Sequence, residues 1–244
     1  MDDLSLIALA ILGFAAFCTG INKLAIPGLG VLFVVLVPMV VPAKLSTGYI
    51  LPFLIFGDII AILYWRSTVI WRVVRQLIPA MVIGVGIGYS IMGRIDDDVY
   101  GKVLGGIVLI LMLLDWARIR FHLPIPMGNK AVGFTLGCLA GIMTMLANAA
   151  GPVTMLYLLA MNITKEELVG TTAWIFFFIN AIKVPFSISL GLISLETLKV
   201  NMMMFPLVII GAFVGVWAIK RIPTKAFAVI TRVFAFLGGV KLFF

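Results

Sequence analysis

Ten apolar runs divide this chain of 244 residues, and the stretches between them are short. Five lie in the first half, at about Leu4–Ile21, Gly28–Val41, Leu45–Trp65, Leu77–Gly93 and Val99–Ala117. Five more follow, at about Ala131–Ala147, Pro152–Asn162, Leu168–Leu190, Met202–Ile219 and Ala226–Phe244. One soluble core could not hide so much apolar surface. Charged residues make up only 11% of the chain, against roughly 25% in soluble domains. A bilayer removes the difficulty by acting as the solvent. Within hydrocarbon every backbone polar group needs an internal partner, which leaves helices or a closed barrel. The runs are continuous rather than alternating, so helices are predicted. The expected fold class is an all-α polytopic membrane protein with about 8–10 membrane segments. The expected location is integral to a plasma membrane, of the bacterial inner-membrane type.

The net charge of +8 raises a nucleic-acid reading, which the distribution of the charge argues against. The basic residues lie between the apolar runs rather than in one patch, as membrane topology requires. Cys18 and Cys138 sit in apolar runs and read as small buried hydrophobes. His122 is the only histidine, and no Ser/His/Asp or His-Glu-x-x-His set surrounds it. No enzyme activity, metal or cofactor is therefore expected. The start, Met1-Asp2-Asp3, lacks the basic region of a cleaved signal peptide, so the first run is expected to be retained.

The two halves repeat. Pro79-(x4)-Gly84-(x3)-Gly88 matches Pro206-(x4)-Gly211-(x3)-Gly215, and each is followed by an Arg-Ile pair, Arg94-Ile95 and Arg221-Ile222. Gly20 and Gly30 match Gly141 and Gly151, and Thr47 falls near Thr171. Glycine and proline are common in membrane helices, but several matches in one order point to duplication. The expected organisation is an N-terminal membrane repeat over 1–120, a connecting loop over 121–130 and a C-terminal membrane repeat over 131–244. Five crossings per half would invert the second copy. With the N-terminus outside, the inside then receives Arg66, Arg72, Arg75, Arg118, Arg120, Lys130, Lys220, Arg221 and Lys225. The outside receives Lys44, the Arg94 to Asp98 loop, Lys199 and Lys241, so the positive-inside bias is met. The second segment of each half is too short to span comfortably. If only one of the first two segments crosses, the repeats become parallel instead. Trp71 among the arginines of Arg66–Gln76 suggests an interfacial amphipathic helix there.

Inverted repeats with interrupted helices point to a secondary transporter with its site at the breaks. The breaks run from Asn22 to Gly30 and from Leu146 to Pro152. Asn22 and Asn148 are the cap-type residues, and Pro27 and Pro152 the helix starters. A helix start offers free N–H groups and the positive end of the dipole, which suits an anion. Gly28, Gly30, Ala149, Gly151 and Pro152 would bring backbone close to it. The competing reading is a Pro/Gly kink packed against a neighbour. Ionisable groups in apolar runs are functional candidates by default. These are Asp58 in the third run, as a proton carrier, with Asn180 and Lys183 at about the matching place in the eighth. Lys23 and Lys183 would balance an anion's charge, and Thr171 joins the candidate set. Inverted topology offsets Asp58 from Lys183 by about 10 Å, which argues against a direct bond. Lys183 could instead reach outward to the interface.

At the second break the sequence becomes recognisable. Ala140-Gly141, Ala150-Gly151-Pro152-Val153, Tyr157-Leu158-Leu159, Lys165, Gly170-Thr171, Asn180-x-x-Lys183 and Gly191-Leu192-Ile193 resemble the second-half signature of the TauE/SafE sulfite exporter family. The resemblance implies about eight membrane helices in two repeats. It also implies a permease for sulfur-containing anions such as sulfite, thiosulfate, sulfonates or sulfoacetate-like compounds. The first break departs from the family's denser glycine run, with Lys23, Leu24, Ala25 and Ile26 between Gly20 and Gly28.

The expected function is a secondary transporter for a small anion, a sulfonate or sulfur oxyanion such as sulfite, with protons as a candidate coupling ion. The alternatives are a passive anion channel on the same scaffold and a non-catalytic membrane subunit. The expected partners are the small anionic substrate, the lipid bilayer and a second copy of the chain.

Overall fold

The computed structural model describes residues 5–24, 30–121, 130–159, 161 and 163–218, all in helices and short connections. The helices are α1 (Leu6–Leu24), α2 (Gly30–Leu36), α3 (Ala43–Trp65), α4 (Trp71–Met92), α5 (Asp97–Phe121), α6 (Lys130–Ala147), α7 (Gly151–Leu159), α8 (Lys165–Ser189) and α9 (Leu195–Ala218). A 3-10 turn, Val37–Met39, extends α2. Five of the helices (α1, α3, α4, α8 and α9) contain stretches long and apolar enough to cross a membrane. Their outer faces carry Leu6, Phe14, Leu63, Ile83, Met202 and Phe213 in the open, as lipid contact requires. The final apolar run and Gly28 lie outside the described residues.

Local sequence sets the ends of these helices. Thr164 and Glu167 form a capping box, each side chain bonding the other's backbone N–H, so α8 starts at Lys165 rather than at Leu168. Ser194 and Thr197 cap α9 in the same reciprocal way, which moves its start forward from Met202 to Leu195. Gly191, at φ +71°, closes α8. There Leu192 N–H donates to Ser187 O and Gly191 N–H to Ile188 O, a left-handed cap that glycine adopts without strain. The predicted interfacial helix over Arg66–Gln76 is not separate. From Trp71 onward these residues form the first turns of α4, because no helix breaker divides Gln76 from Leu77.

Glycines clamp helices of the two halves together. A Cβ on Gly20 of α1 would lie 2.1 Å from the Val208 carbonyl oxygen of α9, and one on Gly211 would lie 2.0 Å from that of Phe17. On the far side, a Cβ on Gly141 of α6 would lie 2.1 Å from the Met81 carbonyl oxygen of α4, and one on Gly84 would lie 2.1 Å from that of Cys138. In each clamp the carbonyl lies three residues before a glycine, Phe17 and Val208 before Gly20 and Gly211, and Met81 and Cys138 before Gly84 and Gly141. Such backbone approaches leave no room for any side chain, which is how small residues join membrane helices.

The directions of the helices can be read from their neighbours. Along the α1–α9 pair, Gly13 meets Leu207 and Gly20 meets Ala212. Along α4–α6, Gly137 meets Ala80 and Gly88 meets Met145. Both pairs run parallel. The central pair, α3 and α8, runs antiparallel: Gly48 meets Leu192, Asp58 meets Asn180, and Trp65 and Thr68 meet Gly170. The start of α3 therefore shares one end of the bundle with the α4–α5 and α8–α9 connections. There Ala43 and Lys44 N–H donate to the Asp97 carboxylate, and the Lys44 ammonium donates to Ile95 O. The end of α3 shares the other end with the start of α8, where Thr68 Oγ1 donates to Glu166 O at 2.8 Å.

Candidate functional site

A cavity lies beside Asn22 and Lys23, in the last described turn of α1. It measures about 50 Å³ and is bounded by the end of α1, the start of α2, the α6–α7 break and the middles of α3 and α8. Asn22, Lys23, Gly30, Asn148, Ala149, Gly151, Pro152 and Asn180 from the expected set line it, together with Asp58. Two segments remote in sequence are thus brought to one place by the antiparallel crossing of α3 and α8.

Polar groups at the site pair in two linked clusters. Asp58 is fully buried. Its Oδ1 lies 2.6 Å from Lys23 Nζ, and its Oδ2 accepts from Asn180 Nδ2 at 2.8 Å. The Lys23 stem lies against Gly57, where an added Cβ would come within 2.9 Å of Lys23 Cγ. The Lys23 ammonium sits over the Phe176 ring, 4.8 Å from its centroid. In the second cluster Lys183 donates to Asn148 Oδ1 at 2.5 Å and to Thr144 Oγ1 at 3.2 Å. Lys183 is only 2% exposed and turned inward, so the alternative of an outward reach to the interface does not hold. Its ammonium bonds Asn148 and Thr144 rather than Asp58, although Asn180, one turn earlier on α8, does bond Asp58.

The second break is built around Asn148. Its φ of +51° lies in the left-handed region, which asparagine tolerates better than most residues. Asn148 N–H donates to Thr144 O and Ala149 N–H to Met143 O, closing α6. Both ends of its side-chain amide are engaged, with Oδ1 accepting from Lys183 and Nδ2 donating to Thr47 O at 3.0 Å. The chain then re-enters a helix at Gly151, and the first turn of α7 faces the cavity. At the first break Gly30 N–H donates to Asn22 Oδ1 at 3.1 Å, so its donor is satisfied from within. Thr171 is buried away from the cavity lining, and its Oγ1 accepts from the N–H of Ile70, the residue that caps α4.

Thr144, Gly57 and Phe176 take part at the site without having been singled out for these contacts. A signal for Thr144 was present, since it stands in the repeat where Lys23 stands in the first half. Gly57 adjoins Asp58, and a glycine beside a buried carboxylate marks a place where another chain segment comes close. For Phe176 nothing local shows that a lysine from another helix lies over it.

A family model described as Sulfite exporter TauE/SafE matches residues 6–242, nearly the whole chain. The chain belongs to the sulfite exporter TauE/SafE family. Membership and the apolar helices together identify an integral membrane protein of a transporter family. No curated protein and no solved structure gives a significant match to this TauE/SafE chain.

Proposed function

We propose that this protein is a bacterial inner-membrane permease for a small sulfur oxyanion or sulfonate, with its halves arranged as inverted repeats around the cavity. The observation that carries the reading is the charge inventory at the break. Lys23 lines the cavity paired with Asp58, and a second buried lysine, Lys183, stands behind Asn148 on its wall, so the basic groups around the break outnumber the acidic one. The antiparallel run of α3 against α8, equivalent helices of the two halves, supports inversion, with the repeats placed over 1–120 and 131–244. Family membership supports the transport of a sulfur anion.

The roles follow from position. The N–H groups of Gly151 and Val153 at the start of α7 would hold the anion's oxygens, where the helix dipole favours negative charge. Ala149 and Pro152 shape that wall. Lys23 supplies the charge directly. Lys183 acts through Asn148, which it holds in place. Gly30 lines the opposite wall but has its N–H occupied by Asn22, so the two breaks are unequal in what they offer. A cavity of about 50 Å³ holds only a few waters, at roughly 10–15 Å³ each on this measure. That size suits sulfite, thiosulfate or methanesulfonate better than longer sulfoacetate-like compounds.

Purified protein in liposomes tests the reading. Saturable uptake of one of these anions is expected, and uptake by Lys23→Gln should fall by an order of magnitude or more. Flux that never saturates would favour the passive channel, and the absence of flux for every anion would remove the permease reading.

A further inference from the structure

An anion entering the cavity meets an ion pair already in place. Lys23 is the cation on the cavity wall, and its ammonium is 2.6 Å from Asp58 Oδ1. We infer that the transported anion replaces Asp58 as the counter-ion of Lys23, and that Asp58 takes up one proton as it gives up that cation. This rests on the permease reading above and names its coupling ion.

Three features of the geometry carry the inference. First, Asp58 is wholly buried, and among the described residues the charged groups acting on it are Lys23 from α1 and Lys183 from α8. Lys183 cannot stand in for Lys23, because Asn148 and Thr144 hold its ammonium elsewhere. Second, Asn180 donates to Oδ2, a bond that serves the carboxylate and the neutral acid alike. A proton can therefore arrive on Oδ1, the oxygen facing Lys23, without disturbing the other side of the group. Third, Lys23 is tethered between Gly57 and the Phe176 ring. Its ammonium can turn from Asp58 to an anion without leaving the cavity wall.

The charges balance. At rest Lys23 and Asp58 cancel and Lys183 is left over. With a monovalent anion on Lys23 and a proton on Asp58 the same single charge is left over. If Asp58 stayed ionised, two anions would share one ammonium in a buried site, where like charges that close strongly favour protonation of one of them. The proton comes from the aqueous side that supplies the anion and leaves with it. Anion and proton therefore cross in the same direction.

The test uses full-length protein in liposomes with a pH dye trapped inside. The probes are methanesulfonate and thiosulfate, which stay ionised near neutral pH and bring no proton of their own. The expected result for the wild-type protein is acidification of the lumen in step with methanesulfonate uptake, near one proton per anion. An imposed inward proton gradient should drive that uptake uphill. In Asp58→Asn the proton-to-anion ratio should fall by an order of magnitude or more, and uphill accumulation should vanish. Anion uptake by the wild-type protein without acidification would overturn the exchange while leaving the permease reading intact. So would a D58N variant with an unchanged ratio. If no probe moves through the wild-type protein, the permease reading falls and the exchange falls with it. The wild-type ratio decides the matter even where D58N fails to fold.

Discussion

Asn148 shows how much one side chain can hold together. Its sequence context suggests a helix cap whose loss would weaken transport and leave stability near normal. The structure changes that expectation, because its amide joins Lys183 of α8 to the Thr47 carbonyl of α3. Removing the amide leaves the buried ammonium with Thr144 as its remaining partner and strips the Thr47 carbonyl of this donor, and alanine is also strained at φ +51°. A hydrogen bond to a charged group is worth about 1.5–3 kcal/mol. Asn148→Ala should therefore lower detergent-solubilised Tm by several degrees as well as reduce uptake. Asn148→Gly relieves the backbone but not Lys183, so it should recover only part of that loss. Equal Tm values for wild type and N148A would show that the two bonds carry no stability.

At the scale of the elements, helix contacts depend on which face a glycine occupies. Gly84 and Gly86 are two residues apart on α4. A Cβ on Gly84 would lie 2.1 Å from the Cys138 carbonyl oxygen, whereas one on Gly86 meets nothing within 4 Å. Gly84→Ala should force α4 and α6 apart and abolish monodisperse protein in size-exclusion chromatography. Gly86→Ala should elute like wild type, and gain slightly from the better helix propensity of alanine. Equal behaviour of the two variants would contradict the packing described. The same logic marks Gly20, Gly141 and Gly211 as intolerant positions. Spacing alone reveals that these glycines recur. It does not reveal that Gly20 reaches α9 and Gly141 reaches α4, because the partner of a helix face is chosen by the whole bundle.

For the whole molecule, the antiparallel crossing of α3 and α8 fixes which connections share a side. Ser67 and Glu166 lie at one end of the bundle, and Asp96 at the other. Single cysteines at 67 and 166, in a background lacking Cys18 and Cys138, should react with an impermeant maleimide from the same side of the membrane. A cysteine at 96 should react from the opposite side. The positive-inside rule places the first pair in the cytoplasm, beside Arg66, Arg72 and Arg75. Labelling of 67 and 166 from opposite sides would rule out the inverted arrangement.

By itself the sequence determined that this chain lives in a bilayer, that it is helical, and that Leu146–Pro152 interrupts a helix. Each of these follows from local composition and spacing, which a chain carries before it folds. The capping box at Thr164 is equally local, but a reading by apolar runs passes over it and starts the segment at Leu168. Only the tertiary structure decided that Lys23 rather than Lys183 is the partner of Asp58, that Lys183 turns inward to Asn148, and that Thr171 caps α4 away from the cavity. Those outcomes depend on the register and direction in which distant helices cross. The backbone approaches at Gly20, Gly84, Gly141 and Gly211 act across the bundle, so the spacing that marks these glycines does not name their partners.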